Sequence, residues 1–189
     1  SLGDSASGGN VSARLVLKAA GAPLVAASLK TMAPFAASEA LIERRLDAFV
    51  FISAAPAPVI RTLASETAIR LVPLEGYEID RIRKRFVWWR PYTIPRKTYG
   101  NVPSVRTVAI PSIWLVSSRL DLETAYGMTR AMWQPQALRI LQAMQPVDGV
   151  LNMERSLRNI PIPLHPGAER FYRYAGAVSD NPEARHSAK

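Results

Sequence analysis

Over the first hundred residues, apolar positions alternate between short continuous runs and helical spacing. Three short, largely apolar runs have the form of strands buried on both faces: Leu24–Leu29, Ala48–Ile52 and Ile69–Val72. Between them, apolar residues recur at helical spacing, as Leu15 and Ala19 do. Strands that alternate with helices at short intervals predict βαβ units, and therefore an α/β fold with a mostly parallel sheet flanked by helices.

From Arg90 onward the pattern changes, because prolines separate extended pieces and longer helical patterns follow. Strands are predicted on either side of Pro111, at Val105–Ile110 and Ile113–Ser117. The predicted helices of this half are Leu122–Trp133, Ala137–Met144, Glu154–Arg158 and Ala168–Tyr174. This change from dense strand–helix alternation to helical texture indicates a boundary near Val105.

A Ser/Gly run with one acid, Asp4–Asn10, leads directly into the first predicted helix, for which Asn10 or Ser12 is a suitable N-cap. Such a loop leaves backbone N–H groups pointing outward at the positive end of the helix dipole. That arrangement suits a carboxylate or a phosphate, although Asp4 would repel a phosphate. An ordinary flexible loop before a helix is the alternative that these residues leave open.

The chain is basic, with 24 Lys and Arg against 15 Asp and Glu. Its densest basic group, residues 81–97, is interleaved with Trp and Tyr, a composition that suits binding of single-stranded nucleic acid. The spacing of Ile79, Ile82 and Phe86 favours a plainer interpretation, an amphipathic helix whose arginines face solvent. We therefore predict buried Ile82 and Phe86 beside three exposed arginines, Arg81, Arg83 and Arg85.

The residues offer little for catalysis, metal binding or cofactor chemistry. Cysteine is absent, and only two histidines are present, of which His165 occupies a rigid turn that favours a structural hydrogen bond. Motifs for zinc proteases, serine hydrolases and nucleotide P-loops are missing from the sequence. We therefore expect a protein that is not an enzyme, with no catalytic residues, no metal and no cofactor. No apolar run approaches the roughly 18 residues of a membrane span, and no signal-peptide pattern opens the chain.

The opening segment, SLGDSASGGNVSA, resembles the motif that begins the second lobe of TAXI-type solute-binding receptors of TRAP transporters, approximately S-L-G-x-x-G-S-G-T-x-x-T-A. Ala6 stands where Gly is usual and Gly9 where Thr is usual. Similar motifs follow in the same order over about residues 1–175. They are Leu46–Phe51 with Ala54–Pro56, Ile69–Leu74, Ile94-Pro95 with Thr98-Tyr99, and Ile160–Gly167.

The resemblance implies a periplasmic binding protein type II-like fold with C-terminal helices. Residues 1–104 would form an α/β ligand-binding lobe and 105–178 the crossover strands and C-terminal helices of another, incomplete lobe, before a flexible tail over 179–189. The chain would then be the interior part of a longer protein. Ligands of such folds lie at loop–helix junctions beyond the carboxyl ends of strands. Two junctions supply the predicted ligand-binding residues: Ser5, Ser7, Gly8, Gly9 and Asn10, and then Ser53, Ala54 and Pro56.

The function that the resemblance implies is capture of a small acidic solute, such as glutamate, glutamine or a dicarboxylate, followed by delivery to a membrane subunit of the transporter. The location would be periplasmic or otherwise extracytoplasmic, nucleic acid would not be a partner, and an exposed lobe interface would drive self-association. Two other classes stay open. One is the effector-binding domain of a transcription regulator, and the other is a basic nucleic-acid-binding domain built on Arg81–Tyr99.

Overall fold

A computed structural model describes residues 1–22, 29–144, 151–158 and 160–178. The chain divides into two compact units, Ser1–Pro111 and Ser112–Lys189. The elements of the first unit are α1 Gly8–Ala19, α2 Pro34–Ile42, α3 Pro58–Glu66, α4 Tyr77–Arg85, β1 Arg90–Ile94 and β2 Val105–Ala109. Those of the second are α5 Leu122–Met132, α6 Pro135–Met144, α7 Met153–Ser156 and α8 Pro166–Tyr174. The predicted tail, 179–189, lies outside the described residues.

Within the described ranges the sheet consists of two antiparallel strands. β1 pairs with β2 in a register that runs from Arg90 opposite Ala109 to Ile94 opposite Val105. The prediction of a strand beginning at Val105 is confirmed, whereas a mostly parallel sheet is not seen in this part of the chain. The predicted boundary after residue 104 falls just before β2, which pairs inside the first unit.

Three predicted strands, at 48–52, 69–72 and 113–117, are not strands in the structure. A continuous apolar run indicates burial, but a strand also requires successive ladder bonds to a neighbour. Among the described residues the run at 48–52 makes two isolated backbone bonds instead: the Ser1 amino group donates to the Ala48 carbonyl (2.6 Å) and the Val50 N–H donates to the Ser1 carbonyl (2.9 Å). The predicted strand at 24–29 lies outside the described residues apart from its last position.

Helix starts follow local capping chemistry. The predicted first helix is confirmed, but it begins earlier than expected because Ser7, not Asn10 or Ser12, is the N-cap: its Oγ accepts a hydrogen bond from the Asn10 N–H (3.1 Å). α2 begins with Pro34 in its first turn, where the fixed φ of proline suits a helix.

Two clusters of buried apolar side chains hold the first unit together. The α3 cluster contains Ala57, Val59, Ile60, Tyr99 and Val102, and the Trp89 cluster contains Ile79, Ile82 and Trp89. Inside the α3 cluster the Tyr99 hydroxyl accepts a hydrogen bond from the Ala57 N–H (2.8 Å), so that this buried donor is satisfied just before α3 begins. The Trp89 cluster joins α4 to the apolar face of α1.

The second unit is built on the packing of α5 against α8, with α6 also packed on α5. Gly167 permits this approach, because a Cβ there would lie 2.3 Å from the Leu122 carbonyl oxygen and 2.8 Å from the Tyr126 nitrogen. The predicted structural role of His165 is confirmed: its Nδ1 accepts from the Gly167 N–H (3.2 Å) and its Nε2 lies 3.0 Å from the Leu120 carbonyl oxygen. His165 therefore caps α8 and ties it to the turn before α5.

Candidate ligand-binding site

An open cavity of about 150 Å³ lies in the first unit where three chain segments meet. The first segment leads into α1, the second leads into α2, and the third is the apolar run after residue 48. The residues that line it are Ser1, Gly3, Asp4, Ser7, Gly9, Met32, Pro34, Ala37, Phe49, Val50, Phe51 and Ile52. This cavity therefore contains part of the predicted Ser/Gly loop.

The start of α1 presents unused hydrogen-bond donors beside the cavity. Ser7 satisfies the N–H of Asn10, which leaves the N–H groups of Gly8 and Gly9 without an acceptor among the described residues. Gly3 adopts a φ of +81°, a conformation that favours glycine and bends the chain into the loop. The donors and the positive end of the helix dipole together form a seat suited to an anionic group.

The start of α2 lies at the same cavity. Pro34 and Ala37, one helical turn apart, both belong to the lining. The N-cap residue of this helix, Ala33, provides no side-chain hydrogen bond to the first turn. Two helix N-termini therefore meet at one cavity, and the positive ends of two helix dipoles act on the same small volume.

The opposite wall is apolar and is held in place by the core. Phe49 and Phe51 line the cavity and also pack against the α3 cluster. Val50 is fixed by its bond to the Ser1 carbonyl (2.9 Å), and Met32 adds a further apolar surface. The wall is thus an extension of the hydrophobic core, which limits its movement when a solute enters.

Asp4 is the only residue of the lining with a charged side chain, and Ser1, which also belongs to the lining, carries an amino group that donates to the Ala48 carbonyl. The backbone of Asp4 is fixed at the foot of α1, since its carbonyl oxygen accepts both the Ser7 N–H (3.0 Å) and the Ser7 Oγ–H (2.8 Å). Its side chain is exposed and pairs with no other side chain in the described ranges. The cavity of a strongly basic chain therefore carries a negative side chain.

Only some of the predicted site residues line the cavity. Ser7 and Gly9 line the cavity, whereas Ser5 and Gly8 are exposed beside it. Asn10 is buried in α1, where its Oδ1 accepts a hydrogen bond from Arg14 Nε (2.8 Å).

The second predicted junction lies just beyond the lining. Ser53, Ala54 and Pro56 follow the lining segment Phe49–Ile52 and are not part of it. Their roles in ligand binding stay predictions, as do those of the first junction.

The site predicted from the sequence did not include the start of α2. A proline at the beginning of a helical pattern is a helix-start signal, and Pro34 followed by the Ala-rich run would have located this helix correctly. Proximity of that helix start to the Ser/Gly loop could not be read from the sequence, because it depends on contacts such as the Leu2 N–H to the Lys30 carbonyl (3.0 Å).

A second, wider groove of about 570 Å³ lies between α4 and the sheet. Its charged side chains largely neutralise one another, since Arg83 pairs with Asp80 (2.7 Å) and Arg106 pairs with Glu75 (3.2 Å). The groove lacks a convergence of helix starts like that at the smaller cavity, and we therefore place the candidate site at the cavity.

The basic segment uses most of its aromatic residues in the core. Trp89 and Tyr99 are buried, and Phe86 packs edge-to-face on Trp88 (5.4 Å between ring centroids). Ile82 is buried as predicted, although Phe86 is only half-buried. Bases that stack on a protein require exposed aromatic faces, so these contacts favour the amphipathic interpretation of the segment.

The arginines of α4 agree in part with the prediction. Arg81 and Arg85 are exposed, whereas Arg83 is half-buried and paired with Asp80. Arg81 is paired with Glu78 (2.9 Å), so acidic neighbours offset part of the positive charge of this helix.

The described residues contain neither a cluster of metal ligands nor a helix that could span a membrane. Within them no three His, Asp or Glu side chains are grouped so as to hold a metal ion. The longest helix there, α1, has 12 residues, and none of the helices is long and apolar enough to cross a bilayer.

A protein-family model matches most of the chain. The model of the NMT1-like family, which is a periplasmic-binding-type family, matches residues 1–176. The match includes the Ser/Gly loop, both helix starts and the apolar wall of the cavity. Family members bind substrates and are typically extracytoplasmic, so a small solute is the kind of ligand that the cavity is expected to hold.

Proposed function

This chain belongs to the NMT1-like family, and we propose that it acts as the solute-binding receptor component of a TRAP-type transporter, of the TAXI type. The proposed ligand is a small acidic solute of the glutamate, glutamine or dicarboxylate class. The observation that carries the proposal is the meeting of two helix N-termini at one cavity, beside the free N–H groups of Gly8 and Gly9. Such groups bind carboxylates without a basic side chain.

The proposed mechanism makes and breaks no covalent bond, so the protein is not an enzyme. The carboxylate of the solute accepts hydrogen bonds at the start of α1, while Met32, Phe49 and Phe51 enclose its carbon chain. Closure about a hinge then completes capture, and a membrane subunit of the transporter receives the solute. In this proposal residues 1–104 are the ligand-binding lobe, and the place of action is periplasmic or extracytoplasmic.

A calorimetric titration with L-glutamate, L-glutamine and glutarate tests the proposal. The informative variant is Gly9→Leu, because Gly9 lines the cavity and a leucine side chain would occupy part of its volume. Leucine favours the helix over glycine, but a Cβ here would lie 3.4 Å from the Ser7 Oγ, so thermal unfolding of the variant is measured beside the titration to separate lost binding from lost structure. Val11→Leu is the matched control, since it places the same side chain in the same turn at a position that is 69% exposed and outside the lining.

We expect saturable binding of at least one of these solutes to the unmodified chain. Gly9→Leu should lose most of that affinity, and Val11→Leu should retain it. Binding that survives Gly9→Leu unchanged would move the site away from the cavity. If none of the three solutes binds, the proposed acidic-solute receptor is wrong.

A further inference from the structure

We infer that residues 112–116 pair as an antiparallel β-strand with the same residues of a second copy of this chain, with the two Trp114 residues opposite each other. The stretch belongs to the second unit, which takes no part in the proposed solute site. Its composition predicts a strand at 113–117, yet no strand forms there in the single chain. A strand from a second copy would supply the missing partner.

The backbone of residues 112–116 has the form of a strand without a ladder. It contains no turn or bend, and it makes no backbone hydrogen bond to another described residue. Both ends of this free stretch are defined, because Pro111 has no N–H and the Ser117 carbonyl accepts the Leu120 N–H (3.0 Å). Five consecutive residues are therefore open to pairing, and Trp114 is the central one.

The side chains of this stretch suit a strand that another strand covers. Trp114 and Leu115 are 62% and 68% exposed, and both of their neighbours, Ile113 and Val116, are also exposed. Aromatic and β-branched residues favour strands. An exposed apolar strand with unpaired backbone groups is a template for pairing with another chain.

The stretch is complementary to itself, which a two-fold dimer requires because both copies contribute the same surface. When antiparallel strands pair about Trp114, Ile113 of each copy lies opposite Leu115 of the other. Apolar residues therefore meet at the three central positions, and Ser112 lies opposite Val116. Aromatic residues that lie directly opposite each other add to the stability of such a pair.

The distribution of charge favours a second copy over a different protein. The chain carries a net charge of +9, so two copies repel each other over most of their surfaces. Residues 107–118 contain no charged side chain, so copies can meet here without opposing charges. Salt should therefore strengthen the association by screening the remaining repulsion. A partner selected by opposite charge would bind more weakly as salt is added.

Single-cysteine variants test the alignment, since the chain contains no cysteine of its own. Ser112→Cys and Val116→Cys leave the three central residues intact, and each variant is oxidised alone and in an equal mixture. The two different cysteines would lie opposite each other, within reach of a disulfide, whereas identical cysteines would lie roughly 13 Å apart along the strands. We expect a disulfide-linked dimer from the mixture and none from either variant alone.

Trp114→Lys tests the contact itself by sedimentation equilibrium of the full chain. It would place two ammonium groups opposite each other at the centre of the pair, so we expect association to weaken by at least about tenfold. Tyr174→Lys is the matched control, because it makes a similar change at an 85% exposed position of the second unit, outside this stretch. It should change the association little.

Three results would overturn the inference. One is a chain that stays monomeric at every concentration. Another is cross-linking of either cysteine variant alone as readily as the mixture, since that would indicate parallel or unspecific contact. The third is equal association of the two lysine variants. Solute binding at the cavity should be the same in all of these variants, so the proposed function stands or falls separately.

Discussion

The two units of this protein bury their apolar residues to different degrees. Of the buried hydrophobic residues in the described chain, only Ala125 and Phe171 lie in the second unit, and the rest lie in Ser1–Pro111. The second unit also exposes four successive apolar side chains, Ile113–Val116, among which Leu115 is 68% exposed. The first unit therefore has a core that fixes a cavity wall, whereas the second has apolar surface available for contact with another protein.

This difference assigns different roles to the two units. A binding site needs walls whose positions are set by packing, which the α3 cluster provides through Phe49 and Phe51. The second unit instead depends on the packing of α5 against α8, which Gly167 permits. A change in the second unit should therefore leave solute binding at the first unit intact, and a change in the first unit should leave the packing of the second intact.

The largest effect is expected for Gly167→Ala. Its Cβ would lie 2.3 Å from the Leu122 carbonyl oxygen, so α5 and α8 would have to separate. Overpacking of this kind costs about 3 kcal/mol or more of the unfolding free energy, because the obstacle is backbone. Gly127→Ala on α5 is the control: a Cβ there meets nothing within 4 Å, and the gain in helix propensity should stabilise the unit by up to about 1 kcal/mol.

Urea unfolding followed by helix circular dichroism would measure both variants. Solute binding at the first unit should survive Gly167→Ala at low denaturant. Equal stability of the two glycine variants would contradict the close helix contact.

The second-largest effect is expected for Leu115→Ser, on self-association of the chain. Leu115→Ser removes an apolar side chain from the exposed run in the second unit, and burial of a leucine side chain contributes about 1.5–3 kcal/mol. We expect the chain to self-associate through this surface, and Leu115→Ser to weaken the association by about tenfold or more in sedimentation equilibrium. Val72→Ser, at a 71% exposed position in the first unit, should change it little. A monomer at all concentrations would refute the surface as a self-association site.

A smaller effect is expected in the first unit for Tyr99→Phe. The change leaves the buried Ala57 N–H without its acceptor, at a cost of about 1–2 kcal/mol in unfolding free energy. Tyr92→Phe serves as the control, since Tyr92 is half-buried and its hydroxyl makes no hydrogen bond within the described ranges. If the chemical denaturation curves of the two variants coincide, this hydrogen bond contributes nothing to the free energy of unfolding.

The smallest effect is a pH dependence at the start of α5. Hydrogen bonding from the Thr124 side chain, and then from the Thr124 N–H (2.8 Å), lowers the pKa of the Asp121 carboxyl below the ordinary 3.8. Because the folded pKa is the lower one, the stabilisation is present above pH 3.8 and is lost as the pH falls through the folded value. The melting temperature of the unmodified chain should therefore exceed that of Asp121→Asn at neutral pH, and the difference should vanish in acid. A difference that grew in acid would contradict this assignment.

Local signals in the sequence located the helices better than the sheet. The spacing of Leu15 and Ala19, the helical pattern over Leu122–Trp133 and the apolar face of α4 all indicate helices that exist, because helix contacts are close in sequence. The runs at 48–52 and 69–72 were assigned to strands from burial alone. Strand formation depends on a partner elsewhere in the chain, which a run of apolar residues does not specify.

The sequence also predicts only the part of the candidate site that depends on local signals. Its Ser/Gly loop was found because helix N-termini that bind anions have a local composition. The start of α2 and the wall at Phe49–Ile52 come to the cavity through long-range contacts. For Asp4 the sequence predicts only that its charge would repel a phosphate, because the position of Asp4 in the lining depends on the fold.

The cavity at the foot of α1 is the proposed binding site for a small solute. Amide signals in a ¹⁵N–¹H NMR titration with L-glutamate test it most directly, because Gly8 and Gly9 adjoin the cavity while Gly127 lies in the second unit. We predict saturable shifts at Gly8 and Gly9 with the signal of Gly127 unchanged. Saturable shifts confined to residues away from the cavity, or no saturable shift at Gly8 and Gly9, would contradict the account.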